Sequence, residues 1–254
     1  MITAKDAAAV VDDTVITSLD VSMFTPKDVE NLILQRSEVL WDVPRSGRVV
    51  KEWSEGDPTR MLQQIADRSE VLIRRAAAFI YQEFESLRPT LDTLAVGRVA
   101  DIGCGYAMFD LFLARAYGSD IILIDIEQND ERHFGYRETG AAYTSLDQAR
   151  VFLTANGVPN ERIATCNPEK DDLDQITDLD LATSFVSCGY HYPVATYAAF
   201  FDRAVKPGGA ILLDVRRRAR KEQRPTLNQL GQAEFLGETS RGTGHRMLYR
   251  KVPA

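Results

Sequence analysis

Two hydrophobic periodicities divide the chain. Over roughly the first 92 residues apolar side chains recur at helical spacing, most clearly through Met61, Leu62, Ile65, Leu72, Ile73, Ala76, Phe79, Ile80, Phe84 and Leu87. Asp57-Pro58 is a start signal for that helix, and Pro89 is expected to stop it. An earlier helix from Pro26 to about Leu40 is predicted by Thr25-Pro26-Lys27-Asp28, which offers an N-cap, a first-turn proline and an acid near the positive helix end. Between the two, Trp41 to Gly56 mixes Pro, Gly, Trp and charge and reads as an irregular connection.

From Gly97 the pattern changes to short apolar strands alternating with helical stretches, the signature of a mainly parallel sheet covered on both faces. The expected strands are Arg98 to Ile102, Ile121 to Asp125, Arg162 to Cys166, Leu181 to Ser187 and Ala210 to Val215. Helices are expected over Met108 to Tyr117, after the Ser145-Leu146-Asp147-Gln148 cap, and from Pro193 to Val205. Ala233 to Glu238 and Arg246 to Lys251 are strand-like and flank the flexible Ser240-Arg241-Gly242-Thr243-Gly244 connection, so the chain should end in an antiparallel hairpin. The resulting fold class is α/β: a doubly wound, mainly parallel seven-stranded sheet with a C-terminal antiparallel hairpin, plus an N-terminal helical extension. Residues 1–92 form that extension, a candidate lid, and residues 93–254 the sheet domain.

Charge and cysteine content narrow the function classes. A net charge of -7 argues against a broad phosphate-binding surface and hence against nucleic acid as partner. Cys104, Cys166 and Cys188 are widely spaced without a CxxC pair, so neither a disulfide framework nor a metal site is indicated, and a reducing cytoplasm is expected. No leader pattern is visible at Met-Ile-Thr-Ala-Lys-Asp, and no apolar run approaches the roughly 18 to 20 residues that cross a bilayer, so no membrane partner is expected. Ser-His-Asp, Walker and HExxH patterns are not seen. Oligomeric state is not legible.

The chemistry concentrates in Val99-Ala100-Asp101-Ile102-Gly103-Cys104-Gly105-Tyr106-Ala107. A strand ends at Ile102, two glycines permit a sharp turn and close approach to a ligand, and a helix follows. A dinucleotide fingerprint is an incomplete match, because its third glycine falls at Met108 and a pyrophosphate is repelled by Asp101. An acid placed there suits a cationic amino group. The segment resembles the first motif of the class I, Rossmann-like S-adenosylmethionine-dependent methyltransferases, an acid followed by Gly-x-Gly-x-Gly, with Ala107 where the third glycine falls. Lys206-Pro207-Gly208-Gly209, before the fifth strand, is similar to a turn common in that family, which also ends in an antiparallel hairpin.

The resemblance implies a cofactor, S-adenosylmethionine, with S-adenosylhomocysteine as product. Ligands in open α/β sheets lie beyond the carboxyl ends of the strands. There Asp101 is the candidate for the methionine amino group, Gly103, Cys104 and Gly105 for backbone contacts, and Asp125 for the ribose hydroxyls with Glu127 as fallback. Ile126 is a candidate cover for the adenine and equally a core residue. Asn167 stands where related enzymes often carry an acid for the adenine amino group, and serves equally as a turn residue. Cys104 reads as packing, not as a nucleophile.

The methyl acceptor is expected where the fourth strand runs into Ser187-Cys188-Gly189-Tyr190-His191-Tyr192-Pro193, with Ser187 toward the cofactor and Tyr190 toward the acceptor. The family's nucleic-acid amino methyltransferases often have Asn or Asp, Pro-Pro and an aromatic there, which this segment lacks. His191 is the candidate general base, since an alcohol must lose its proton to attack a sulfonium and neutral imidazole can take it; a structural histidine is the competing reading. The long connection Gln128 to Tyr143 adds Phe134, Tyr136 and Tyr143 as candidate walls of the acceptor pocket and His133 as a candidate to reach the hydroxyl, against a plain surface excursion. The expected activity is methylation of a small-molecule hydroxyl, sugar-like or aromatic. An NAD(P)-dependent oxidoreductase and a catalytically silent S-adenosylmethionine-binding module are the alternatives.

Overall fold

The computed structural model describes residues 2–127, 145–239 and 242–252. Helices α1 (Ala4–Ala8), α2 (Thr14–Thr17), α3 (Pro26–Gln35), α4 (Ser46–Ser54) and α5 (Thr59–Leu91) precede the sheet. Then come β1 (Arg98–Ile102), α6 (Met108–Tyr117), β2 (Asp120–Ile124), α7 (Leu146–Ala155), β3 (Ile163–Cys166), β4 (Leu179–Ser184), α8 (Ala198–Ala204), β5 (Val205–Arg216), α9 (Arg220–Leu227), β6 (Gln232–Thr239) and β7 (Gly244–Arg250). The seven strands lie in the order β3-β2-β1-β4-β5-β7-β6, with β7 antiparallel to both neighbours and the first five parallel. This is the expected sheet and hairpin.

Local chemistry accounts for the element starts. Thr25 and Asp28 form a reciprocal capping box, Thr25 N–H donating to Asp28 Oδ2 at 2.8 Å and Asp28 N–H to Thr25 Oγ1 at 3.3 Å. Ser145 caps α7 by accepting the Gln148 N–H at 3.4 Å. α3 stops at Gln35, short of Leu40, because Arg36 is non-helical (φ -142°, ψ 75°) and Ser37–Leu40 tightens into a 3₁₀ turn. α5 breaks at Arg68 (φ -158°, ψ 38°) and resumes.

Pro89 does not end α5. The missing N–H costs one bond in the final turn, while Leu87 and Leu91 on either side are buried and hold that turn against the core. The fourth strand ends at Ser184, three residues before the expected Ser187. There the Ser184 hydroxyl donates to the Ile102 carbonyl (2.7 Å) and accepts the Cys188 N–H (2.9 Å), folding the chain out of the sheet. The Lys206-Pro207-Gly208-Gly209 turn is absorbed into β5 as an irregularity, since β4 pairs on both sides of it. The helix expected from Pro193 starts as a 3₁₀ turn, Val194–Tyr197, before α8. The charged run Arg216-Arg217-Arg218-Ala219-Arg220-Lys221 leads from the end of β5 into α9.

Alternation along the strands separates two cores. Val99, Ile121, Leu123, Leu181, Leu212 and Leu248 face α6, α7 and the N-terminal helices, with which they form one contiguous apolar cluster. Ala100, Ile102, Ile122, Ala182, Ile211 and Leu213 face α8 and the segment through Leu230. Residues 1–92 are therefore built into the first face of the sheet. The same alternation puts Asp101, Thr183, Asp214 and Arg246 on that first face, where four polar side chains become buried toward the carboxyl edge of the parallel strands.

Candidate cofactor and acceptor site

The turn after β1 is held against the end of β2: Gly103 N–H donates to the Ile124 carbonyl at 2.7 Å. Gly103 has φ 75°, and a Cβ there would come within 2.2 Å of Ser187 Oγ, so the glycine is needed both for its backbone angle and for the approach of the β4 loop. The turn closes at Ala107, left-handed at φ 55°, where α6 begins. Tyr106 is buried and ties the turn to α3, its hydroxyl donating to Asp28 Oδ1 (2.9 Å) and accepting from Asn31 Nδ2 (3.2 Å).

Asp101 and Asp125 flank this turn. Asp125 is half-buried and its Oδ2 accepts the Gly105 N–H at 3.1 Å, so the acid after β2 and the second glycine are directly linked. Asp101 is 4% exposed and accepts the Thr183 hydroxyl at 2.8 Å. Burial pushes its carboxyl up to about 7, against hydrogen bonds from Thr183 and Asp110, with the Asp125 charge pushing further the same way. A buried acid in that state is held ionised by an arriving ammonium group, which is the condition a cationic amino-acid tail requires. Cys104 is buried among the same acids; desolvation, then Asp125, Asp101 and Asp110, raise its thiol well above the ordinary range, so it is inert.

Asn167 is buried at the end of β3, and its side chain is engaged on both sides. Its Oδ1 accepts the Glu169 N–H (3.0 Å) and its Nδ2 donates to Glu127 Oε2 (2.9 Å), which also takes the Lys170 ammonium at 3.0 Å. The amide oxygen has a second lone pair. Glu127, in the left-handed region at φ 57°, is held below its ordinary value by Asn167 and Lys170. Ile126 is half-buried between it and Asp125.

The β4 loop brings Ser187, buried, against Gly103. It then turns back on itself: His191 N–H donates to the Ser187 carbonyl at 2.7 Å, and the His191 ring lies edge-on to Tyr190 with centroids 5.2 Å apart. Tyr190 leans toward the terminal hairpin, its hydroxyl 2.6 Å from Thr243 Oγ1 and its ring 5.5 Å from the Arg216 guanidinium. Tyr192, which the sequence did not single out, is the ring nearer the cofactor turn. Burial raises its phenol, the Ser187 hydroxyl opposes that and the Asp125 charge adds to it. Thr183 was also missed; it is found only through the Asp101–Thr183 register of β1 and β4. His133, Phe134, Tyr136 and Tyr143 lie outside the described residues.

Below this loop an ionic network, buried at Asp214 and Arg246 and half-buried at Arg36 and Glu83, joins four distant segments. Arg246 on β7 makes a bidentate pair with Asp214 on β5 (2.8 and 2.9 Å) and reaches Glu83 on α5 at 3.5 Å, while Arg36 holds Glu83 at 3.0 Å. The Arg246 guanidinium also covers the Phe185 ring at 4.5 Å. A cavity of about 290 Å³ lined by Phe201, Ile211, Leu230 and Lys251 belongs to the other core and is remote from these groups. Among the described residues no cluster suited to a metal ion occurs, and no helix is long and apolar enough to cross a membrane.

No family model and no curated protein matches the chain by sequence. Solved structures do match in shape. A Thermotoga maritima S-adenosylmethionine-dependent O-methyltransferase is 17% identical over 68% of this chain and 66% of its own, with a TM-score of 0.49. A Nostoc punctiforme protein described as a candidate O-methyltransferase is 13% identical over 72% of this chain and 61% of its own, at 0.50. A geranyl diphosphate methyltransferase, solved with geranyl diphosphate and sinefungin, is 10% identical over 73% of this chain and 82% of its own, at 0.50. The chain thus spans about two thirds or less of the first and second of these proteins. The seven-stranded arrangement is that of the class I methyltransferase fold, as the resemblance in the glycine turn implied.

Proposed function

We propose that this class I methyltransferase fold is used as such: the protein is an S-adenosylmethionine-dependent methyltransferase acting on the hydroxyl of a small molecule. The observation that carries the reading is the glycine turn with a carboxylate on each side, Asp101 before it and Asp125 after β2, the latter bonded to the Gly105 N–H at 3.1 Å. Anionic groups on both flanks favour a ligand with an ammonium tail and a ribose diol, and disfavour a pyrophosphate. The proposed roles are Asp101 for the amino group, Asp125 for the ribose hydroxyls, Gly103, Cys104 and Gly105 for backbone contacts, Ile126 and Asn167 for the adenine, and Ser187 for closing the cleft against Gly103. The N-terminal helices cover the turn through Tyr106, Asp28 and Asn31.

The bound cofactor supplies an electrophilic methyl group on a sulfonium. The protein has to align an acceptor oxygen with it, exclude water and take up the hydroxyl proton. His191 is proposed as the residue that takes the proton, in a turn whose Ser187 end abuts the cofactor loop. The net charge of -7 weighs against a nucleic-acid acceptor.

Titration calorimetry of the full chain with S-adenosylmethionine, S-adenosylhomocysteine and NAD⁺ tests the cofactor. Binding of both sulfur compounds and not of NAD⁺ supports the reading; the reverse pattern makes the protein a nucleotide-dependent oxidoreductase. Incubation with radiolabelled methyl cofactor and a hydroxyl-rich metabolite pool then tests catalysis. Tight cofactor binding with no label transferred to any metabolite would leave a silent binding module.

A further inference from the structure

Opposite Asp101, on the first turn of α6, lies a second acid that the proposed chemistry does not use. Asp110 is fully buried, at 0% exposure, and neither of its carboxyl oxygens meets a hydrogen-bond donor from another residue among those described. After burial itself, the Asp101 carboxyl is the group that acts on it most strongly, as Asp110 in turn acts on Asp101. Two carboxyl groups coupled in this way and out of water cannot both ionise, so at least one proton stays with the pair. The groups acting on the pair are Thr183 from β4, whose hydroxyl bonds Asp101 at 2.8 Å, Asp125 from the end of β2, the Cys104 thiol in the turn, and the Asp110 backbone N–H. None of these is a cation.

The two acids are unequal. Asp101 has the Thr183 hydroxyl to stabilise a negative charge; Asp110 has only its own backbone N–H, and burial together with the Asp101 charge raises its carboxyl well above the ordinary range. We infer that Asp110 is a positioning residue that keeps its proton and donates a hydrogen bond to Asp101, and that Asp101 receives the cofactor ammonium group by releasing its own proton to solvent. The inference rests on the cofactor reading above and adds to it a proton that leaves on binding. Below neutrality, affinity should then climb toward tenfold per pH unit, flattening once Asp101 is ionised in the free protein.

The test is titration calorimetry of the full chain with S-adenosylhomocysteine, from mildly acidic to mildly alkaline pH, in two buffers of different protonation enthalpy. The expected result is release of close to one proton per ligand in acid, with affinity rising as stated. Asp110→Leu removes the donor, so affinity at neutral pH should fall about tenfold and return in alkali; Asp110→Asn, which retains a donor, should keep the wild-type profile. Loss of affinity equal at every pH would mark Asp110 as merely structural and overturn the inference. So would wild-type binding with no proton exchange. Infrared spectra of the ligand-free protein in alkali, where Asp101 is already ionised, give an independent reading, since a carboxylic-acid carbonyl band should persist there and should vanish in Asp110→Asn; its absence removes the proton from Asp110. Failure of the ligand to bind wild type at any pH would sink the cofactor reading itself, whereas binding without proton release sinks only the inference.

Discussion

The two halves of the sheet's carboxyl edge are built on different principles. The half proposed for the cofactor, at β1 and β2, is organised by backbone: a left-handed glycine turn, N–H groups from Gly103 and Gly105, and acids placed where strands end. The half proposed for the acceptor, at β4, β5 and β7, is organised by buried and half-buried charge drawn from across the chain: Arg36, Glu83, Asp214 and Arg246, two cations against two acids, roofed by Phe185. The first can be assembled by any short segment with the right residues. The second exists only when the N-terminal helices, β5 and the terminal hairpin are all in place, so it depends on the whole fold.

The largest expected effect follows from breaking the second half. Arg246→Met leaves Asp214 without its bidentate partner and weakens the hold on Glu83, which burial alone would raise but which Arg36 and Arg246 keep below its ordinary value. Urea unfolding should show a loss of about 3–5 kcal/mol. Adding Asp214→Leu should restore part of it, because an apolar pair carries no stranded charge. The lowered Glu83 value also sets a direction: its contribution is present above the unfolded value of 4.5 and is lost as the pH falls through the folded one, so wild type should be acid-sensitive there and a Glu83→Gln chain less so.

His191→Ala should lower methyl transfer about 100-fold, as for a lost general base, with S-adenosylhomocysteine affinity little changed. Unchanged label transfer would remove His191 from the mechanism. Asp125→Ala acts on the other half and should weaken the cofactor about 10- to 100-fold, the range for hydrogen bonds to a charged group, while shifting the urea midpoint little because the residue is half-buried. The two variants together separate chemistry from binding.

The same contrast decides what the chain disclosed before folding. The strands of the proposed cofactor half, the Gly103–Ala107 turn, Asp101, Asp125 and the hairpin rest on local signals: alternation, glycine at a strand end, turn residues. Thr183, Tyr192, Asp110 and the Arg246 network were not legible, because each depends on which strand lies beside which, and no local pattern states that Arg246 on β7 will face Glu83 on α5. Tyr190 was chosen from its place after β4, but its contacts with Thr243 and Arg216 could not be read from that place alone. Pro89 was read by a local rule that burial of Leu87 and Leu91 overrode.

One side chain bridges the two principles, and altering it gives the smallest and sharpest test. Tyr106 belongs to the cofactor turn by sequence, yet its hydroxyl is clamped from α3, donating to Asp28 and accepting from Asn31. Tyr106→Phe keeps the ring and its edge contact with Phe24, so only the clamp is removed. The expected cost in urea is about 1 kcal/mol, the net worth of a buried hydrogen bond. If the N-terminal helices hold the turn in its binding geometry, cofactor affinity should fall about fivefold in step with that loss, as coupling between fold and site requires. If the turn is fixed by its own backbone alone, stability will drop and affinity will stay, and the cofactor half will be as local in energy as it is in sequence.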